Sequence, residues 1–181
     1  MKKLFVIAFI GLLTISLNVN GQHVFNKGDL MFNAGIGVPN GGYGLIPTLN
    51  FSGEYGVIPT GNVGLISFGG LAEFHLAHYS YYYGSSYNET WPRFYFGARA
   101  AWHLHAFDSD VFDVYGGVGL GIQINGKTKY GYYDNGGAYI SPDIFVGGRW
   151  MFKPGIGVFA EVGYTGLSSL KAGITFGIGK K

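Results

Sequence analysis

A two-residue alternation of apolar positions with glycine or charged ones returns eight times along this chain, and few folds accept it. In the clearest copy, Ile144, Val146, Gly148, Trp150 and Phe152 alternate with Asp143, Phe145, Gly147, Arg149 and Met151. Successive strand side chains point to opposite faces of a sheet, so this is a strand with one oily and one polar side. Eight such strands with no helical stretch among them imply an all-β fold, an eight-stranded antiparallel up-and-down transmembrane β-barrel. The barrel is apolar outside and polar inside, and closure satisfies every backbone group without water.

The expected outward rows run from Leu30 to Val38, Leu45 to Tyr55, Ile66 to Leu76, Phe94 to Leu104, Phe112 to Ile124, Ile144 to Phe152, Val158 to Tyr164 and Leu170 to Ile178. No charge falls on any of them. The inward rows hold Glu54, Glu73, Arg99, Asp113, Asp143, Arg149, Glu161 and Lys171. A Lys or Arg at the lipid midplane costs about 2–4 kcal/mol, which accounts for the sorting. Glycine follows the same rule and crowds the inward rows, where a narrow barrel has little room. Pro47 and Pro142 are expected near the start of their strands, where a missing ladder donor is tolerated. Registers estimated from the short connections place Arg149 near Glu161 and Glu161 near Lys171, a salt-bridge plug that fixes register and closes the pore. Aromatic residues near strand ends (Tyr55, Trp91, Phe94, Trp102, Trp150, Phe152 and Tyr164) suit girdles at the two lipid interfaces.

Lys2 and Lys3 precede an apolar run from Leu4 to Leu17, followed by small residues up to Gly21. Residues 1–21 therefore read as a secretory signal peptide, with Gln22 as the mature start and 22–181 as one barrel domain. Without Lys2 and Lys3 the 12 basic residues become 10 and match the 10 acidic ones, so a nucleic-acid partner is not expected. The chain has no cysteine, which excludes disulfides, thiolate metal sites and a lipidated N-terminal Cys.

The alternating strands, the signal peptide and the closing Leu170-Lys171-Ala172-Gly173-Ile174-Thr175-Phe176 resemble the OmpA/OmpX-type eight-stranded outer-membrane barrels. The glycine- and tyrosine-rich style looks most like the small single-domain barrels of Bacteroidota. The resemblance implies the outer membrane of a Gram-negative bacterium, with periplasmic termini, outer-membrane lipid around the barrel and the barrel insertion machinery as a partner. Many such barrels end on an aromatic; here Phe176 takes the part of the assembly signal and the chain ends at Lys181.

With the termini periplasmic, odd-numbered connections face outward. The third (Ala77 to Pro92) and fifth (Asn125 to Ala138) are the long ones. Tyr79, Tyr81, Tyr82, Tyr83, Tyr87 and Trp91 crowd the third; Tyr130, Tyr132 and Tyr133 crowd the fifth, beside Lys127 and Lys129. Tyrosine among Ser, Gly and Asn offers large contact area at small entropy cost, which suits recognition of an extracellular protein or glycan. The alternative is that these hairpins only extend above the membrane and pair with each other.

Two chemical alternatives have weaker support. His78 and Ser80, with Glu89 in the same connection, offer a nucleophile, base and acid for a lipid A deacylase or acyltransferase-like enzyme, but nucleophile and base must lie within hydrogen-bond reach. His103 and His105 share one strand face near Asp113, a spacing that zinc accepts, yet hydrogen-bonded histidine is the commoner outcome and no metal or other cofactor is expected. A small-solute channel and a soluble ligand-binding barrel complete the rivals. The expected function is therefore an integral outer-membrane barrel with a closed polar lumen, non-enzymatic, serving envelope integrity or surface recognition.

Overall fold

The computed structural model describes residues 23–41, 44, 46–82, 86–105, 109–129 and 136–178, so the expected signal peptide and Gln22 lie outside the described residues. Eight strands follow one another: β1 (Leu30–Pro39), β2 (Thr48–Pro59), β3 (Gly64–Tyr82), β4 (Ser86–Leu104), β5 (Phe112–Asn125), β6 (Gly137–Lys153), β7 (Ile156–Thr165) and β8 (Ser168–Ile178). A 3-10 turn, Gly61–Val63, lies between β2 and β3. Each strand pairs antiparallel with its chain neighbour, and β1 closes on β8 from Leu30↔Ile178 to Val38↔Leu170. The result is a closed up-and-down barrel, as the alternation requires.

The outward rows emerge as read from the sequence. Val118 and Leu120 on β5 are 61% and 59% exposed, and Phe51, Phe96, Ile144, Val146 and Val162 are exposed likewise. Inward residues are buried in return, charged ones included: Arg99, Asp143, Arg149, Glu161 and Lys171. Apolar interior residues form three small clusters. Phe25, Met31, Leu65 and Met151 fill the end where the termini lie. Ala101, Tyr115 and Phe145 occupy the middle. Leu71, Tyr95 and Leu167 fill the opposite end.

The third connection differs from expectation. Ala77 to Pro92 is not a loop: β3 and β4 stay paired from Ala77↔Trp91 out to Tyr82↔Ser86. The tyrosines and threonine there favour a pleated strand, and the alternation simply continues. The β2–β3 pairing stops at Leu49↔Phe74, and the β4–β5 pairing begins at Arg93↔Asn125. Residues 75–82 and 86–92 thus form a two-stranded ribbon beyond those ladders, its β4 edge joined at Pro92, whose carbonyl accepts from Gly126 N. β6 also rises, pairing with β5 up to Asn125↔Gly137 but with β7 only from Asp143↔Thr165. The rim is uneven, with β3 to β6 projecting past β7, β8, β1 and β2.

Pro142 falls sixth in β6 rather than near its start. Its missing donor is tolerated because pairing with β7 begins one residue later. Pro92 sits likewise, one residue before β4 meets β5. Pro47 precedes β2, as expected.

Gly35 and Gly173 face each other across the seam between β1 and β8. A Cβ on Gly173 would meet the Ala34 carbonyl and stand 2.5 Å from the Gly35 Cα, so the strands must spread to admit one. On the outer wall, a Cβ on Gly148 meets only ordinary contacts, with the Asp113 carbonyl at 3.6 Å. Gly173→Ala is expected to destabilise the detergent-folded barrel by about 1–3 kcal/mol. Gly148→Ala is expected to leave it unchanged. Thermal unfolding followed by the gel shift between folded and unfolded barrel measures both.

Candidate functional site

The interior ionic side chains assemble into two groups, one on each side of an aromatic layer. In the first, the Arg99 guanidinium donates from Nε to Asp143 Oδ2 at 3.0 Å. Its Nη1 and Nη2 reach the two Glu161 oxygens at 3.3 and 3.1 Å. Lys171 Nζ lies 2.9 Å from Glu161 Oε2, and the Tyr115 hydroxyl donates to Glu161 Oε1 at 3.0 Å. The planar fork of arginine matches this two-oxygen geometry.

The second group centres on Arg149. Its Nη1 donates to Asp113 Oδ2 at 2.8 Å, its Nη2 to Glu54 Oε1, and its Nε to Asn33 Oδ1 at 3.3 Å. His103 lies between the same carboxylates, with Nδ1 3.0 Å from Asp113 and Nε2 3.1 Å from Glu54. Ser67 Oγ donates to Glu54 Oε2 at 2.6 Å. The separating layer is Phe145, 3.5 Å beneath the Arg99 guanidinium, and Tyr115, 4.3 Å beneath that of Arg149. Tyr115 joins both sides, since its hydroxyl reaches Glu161 while its ring faces Arg149.

Two expectations about this network need correction. Arg149 does not meet Glu161. The β6–β7 register shifts between Met151 and Lys153, which puts Arg149 opposite Phe159 and Glu161 opposite Gly147. Arg149 therefore turns to Glu54 and Asp113, while Glu161, opposite Lys171 on β8 as read, takes Arg99 as its second cation. Among the described residues Glu73 makes no salt bridge: it accepts from the Leu167 amide at 2.6 Å and from Ser168 Oγ at 2.8 Å, pinning the turn between β7 and β8 across the mouth.

The histidine pair separates. His103 joins the Arg149 group, whereas His105 stacks on His23 at 3.7 Å and bonds the Phe25 carbonyl through Nε2 at 3.3 Å. Burial, and then the neighbouring His23, hold the His105 imidazole below its ordinary pKa. Among the described residues no group of three or more His, Asp or Glu side chains is placed to hold a metal ion.

His78 and Ser80 do come together. His78 Nε2 lies 3.1 Å from Ser80 Oγ, and His78 Nδ1 lies 2.9 Å from Thr90 Oγ1. Ser80 Oγ donates to Asn88 Oδ1 at 2.7 Å. Glu89 is buried on the opposite face of the ribbon, so Thr90 stands where a catalytic acid would orient the ring.

Of the tyrosines, Tyr82 is 80% exposed at the tip of β3 and Tyr79 is half-buried. The backbones of Tyr81 and Tyr87 are paired strand. Tyr83, Tyr130, Tyr132 and Tyr133 lie outside the described residues. Trp91 belongs neither to an external recognition loop nor to a girdle: it is 1% exposed, pointing inward with Glu89 and Arg93, because the alternation runs unbroken through the ribbon.

Sequence reasoning missed the plug at the terminal end. Residues 23–29 fold into the mouth, with Gly28 N donating to the Gly56 carbonyl and Gly56 N to the Asp29 carbonyl. Phe25 is buried there against Met31, Leu65 and Met151, its ring 4.5 Å from that of His103. Its short apolar pair, Val24-Phe25, precedes any strand pattern, so periodicity gave no signal for it.

No family model matches this chain, and no curated protein matches it either. Among solved structures, those similar to this chain include Ail. The crystal structure of Ail, the attachment invasion locus protein of Yersinia pestis, is 15% identical, covers 84% of this chain and 99% of Ail, and gives a TM-score of 0.44. Ail in complex with the heparin analogue sucrose octasulfate gives a TM-score of 0.39 at the same identity and coverage. The barrel architecture described above rests on this chain's own strand pairing.

Removing one member of a buried ionic group leaves its partner's charge without compensation, at a cost of about 3–5 kcal/mol. Glu161→Gln is expected to destabilise the barrel by about that much, because Arg99 keeps Asp143 but Lys171 loses its carboxylate. Denaturant titration of the detergent-folded protein measures it. A loss under about 1 kcal/mol would mean that the pairs do not hold the lumen.

Proposed function

We propose that this chain is an integral outer-membrane barrel with a closed, non-conducting lumen, its termini periplasmic, serving envelope integrity or contact with an extracellular protein or glycan. The observation that carries the reading is the inverted distribution of side chains. Continuous rows of Leu, Ile, Val and Phe stand exposed around the barrel while five carboxylates and three cations are paired or bonded within it. A contiguous apolar belt of this kind suits hydrocarbon and is foreign to a soluble monomer. Exposed Tyr55, Trp102, Trp150 and Tyr164 fit interfacial girdles at the belt's margins.

Closure is supported at three levels. Phe25 fills the terminal mouth, the two Arg-centred groups and their aromatic layer fill the middle, and Leu167 with Tyr95 fills the other mouth. Surface contact is assigned to the projecting β3–β6 wall, whose β6 edge is unpaired over 137–142 and carries exposed Tyr139 and Ile140. The OmpA/OmpX-type resemblance belongs to this same reading.

Reconstitution tests it. The protein is expected to partition into the detergent phase and to give no stable single-channel conductance in planar bilayers. Partition into the aqueous phase would overturn the membrane assignment; steady conductance would overturn the closed lumen.

The contact between His78 and Ser80 favours a second reading, a lipid-modifying hydrolase at the outer rim. Ser80→Ala separates the two. On the structural reading the mass of lipid A from cells carrying the variant equals that from cells with the native chain, whereas an acyl-chain difference establishes the hydrolase.

A further inference from the structure

The lumen contains an unsettled account of oxygen atoms on the Arg99 side. Glu161 has both oxygens engaged, by Arg99, Lys171 and Tyr115. Both oxygens of Glu73 are engaged by Leu167 N and Ser168 Oγ. Asp143 gives only Oδ2 to Arg99. Its Oδ1 makes no hydrogen bond to the protein, although the residue is fully buried. The hydroxyls of Tyr95 and Ser141 are equally buried and equally without a protein partner. Exceptions of this kind call for a bound water or ion, since buried polar groups are otherwise satisfied.

The three atoms share one stretch of wall. Inward rows cross β4, β5 and β6 as Gly97–Gly121–Ser141 and, one step lower, Arg99–Gly119–Asp143. Tyr95 lies folded down over the glycines: its hydroxyl stands 2.5 Å from where a Gly97 Cβ would be, and its Cζ stands 2.6 Å from a Gly121 Cβ position. Asp143 reaches across Gly119 to Arg99, which carries its carboxylate towards the same floor. The phenol, the serine hydroxyl and the free carboxylate oxygen therefore belong to neighbouring inward positions over one glycine floor.

Charge selects the ligand. Among the described residues on this side Glu73, Asp143 and Glu161 stand with Arg99 and Lys171, His75 is buried in the same inward row, and Glu89 and Arg93 higher up add one charge of each sign. With the imidazole neutral, one negative charge remains among them. Oxygen-only donors suit a hard cation, and a single carboxylate among neutral hydroxyls is too little charge for calcium, which gathers several. We propose that Asp143, Ser141 and Tyr95 form an internal site for one monovalent metal cation, Na+ or K+, that completes the neutralisation of the lumen. This goes beyond the proposed function and stands whether or not the barrel contacts a partner.

Thermal unfolding of the whole detergent-folded barrel tests it, with N-methylglucamine chloride replaced stepwise by NaCl or KCl at constant ionic strength. A ligand bound only by the native state raises the unfolding midpoint saturably. The native chain is expected to show that rise with one of the two metal ions, and Asp143→Asn to lose it. Tyr95→Phe is expected to raise the half-saturating concentration about tenfold, the loss of about 1.4 kcal/mol. Equal midpoints in all three salts would overturn the site and leave water or an acid proton as the occupant. So would an undiminished response in Asp143→Asn. Should Asp143→Asn fail to fold, the combined Ser141→Ala and Tyr95→Phe variant decides, and an unchanged response there overturns the proposal as well.

Discussion

Every inward side chain of an eight-stranded barrel competes for one narrow column of space, and the rest of this structure follows from that limit. Such a lumen is just wide enough for side chains to fill. Long residues fit only where their neighbours are glycines: Tyr95 over Gly97 and Gly121, Phe145 against Gly117, Tyr115 against Gly147. Charges fit only where each meets an opposite charge or hydrogen-bond donors, because ions cut off from water are too costly alone. The glycine abundance of the sequence and the pairing of the ionic side chains thus have the same cause.

The column is organised rather than merely full. Two arginines lie on either side of an aromatic layer, each with its guanidinium over a ring and its fork on carboxylates. Partners come from many strands: Arg149 gathers Asn33 from β1, Glu54 from β2 and Asp113 from β5, while Arg99 reaches β6 and β7. A one-residue slip of any of these strands turns its ion to the outer wall, so the network penalises wrong registers more than it adds to the right one.

The outward rows, the strand order and the inward charges were legible in the sequence because a period of two leaves no other assignment. The Glu161–Lys171 pair was legible because the β7–β8 turn is short. What escaped depends on single residues that periodicity does not encode. The register shift at Met151–Lys153 sets Arg149 opposite Phe159, and its guanidinium goes to Glu54 and Asp113 instead of Glu161. The tyrosine-rich stretch reads as a loop by composition, yet the alternation continues through it and carries Trp91 inward. The orphaned oxygens of Tyr95, Ser141 and Asp143 depend on which rotamers their neighbours permit, which no spacing rule supplies.

The terminal plug ties together parts of the chain that are far apart in sequence. Phe25, which precedes β1 in the chain, completes its packing only against Met151 and Leu65, beside a β1 strand that must find β8. A segment made before any strand is therefore among the last to be seated. Folding cannot advance piecemeal, and a chain cut short anywhere before β8 has neither a seam nor a stopper to settle into.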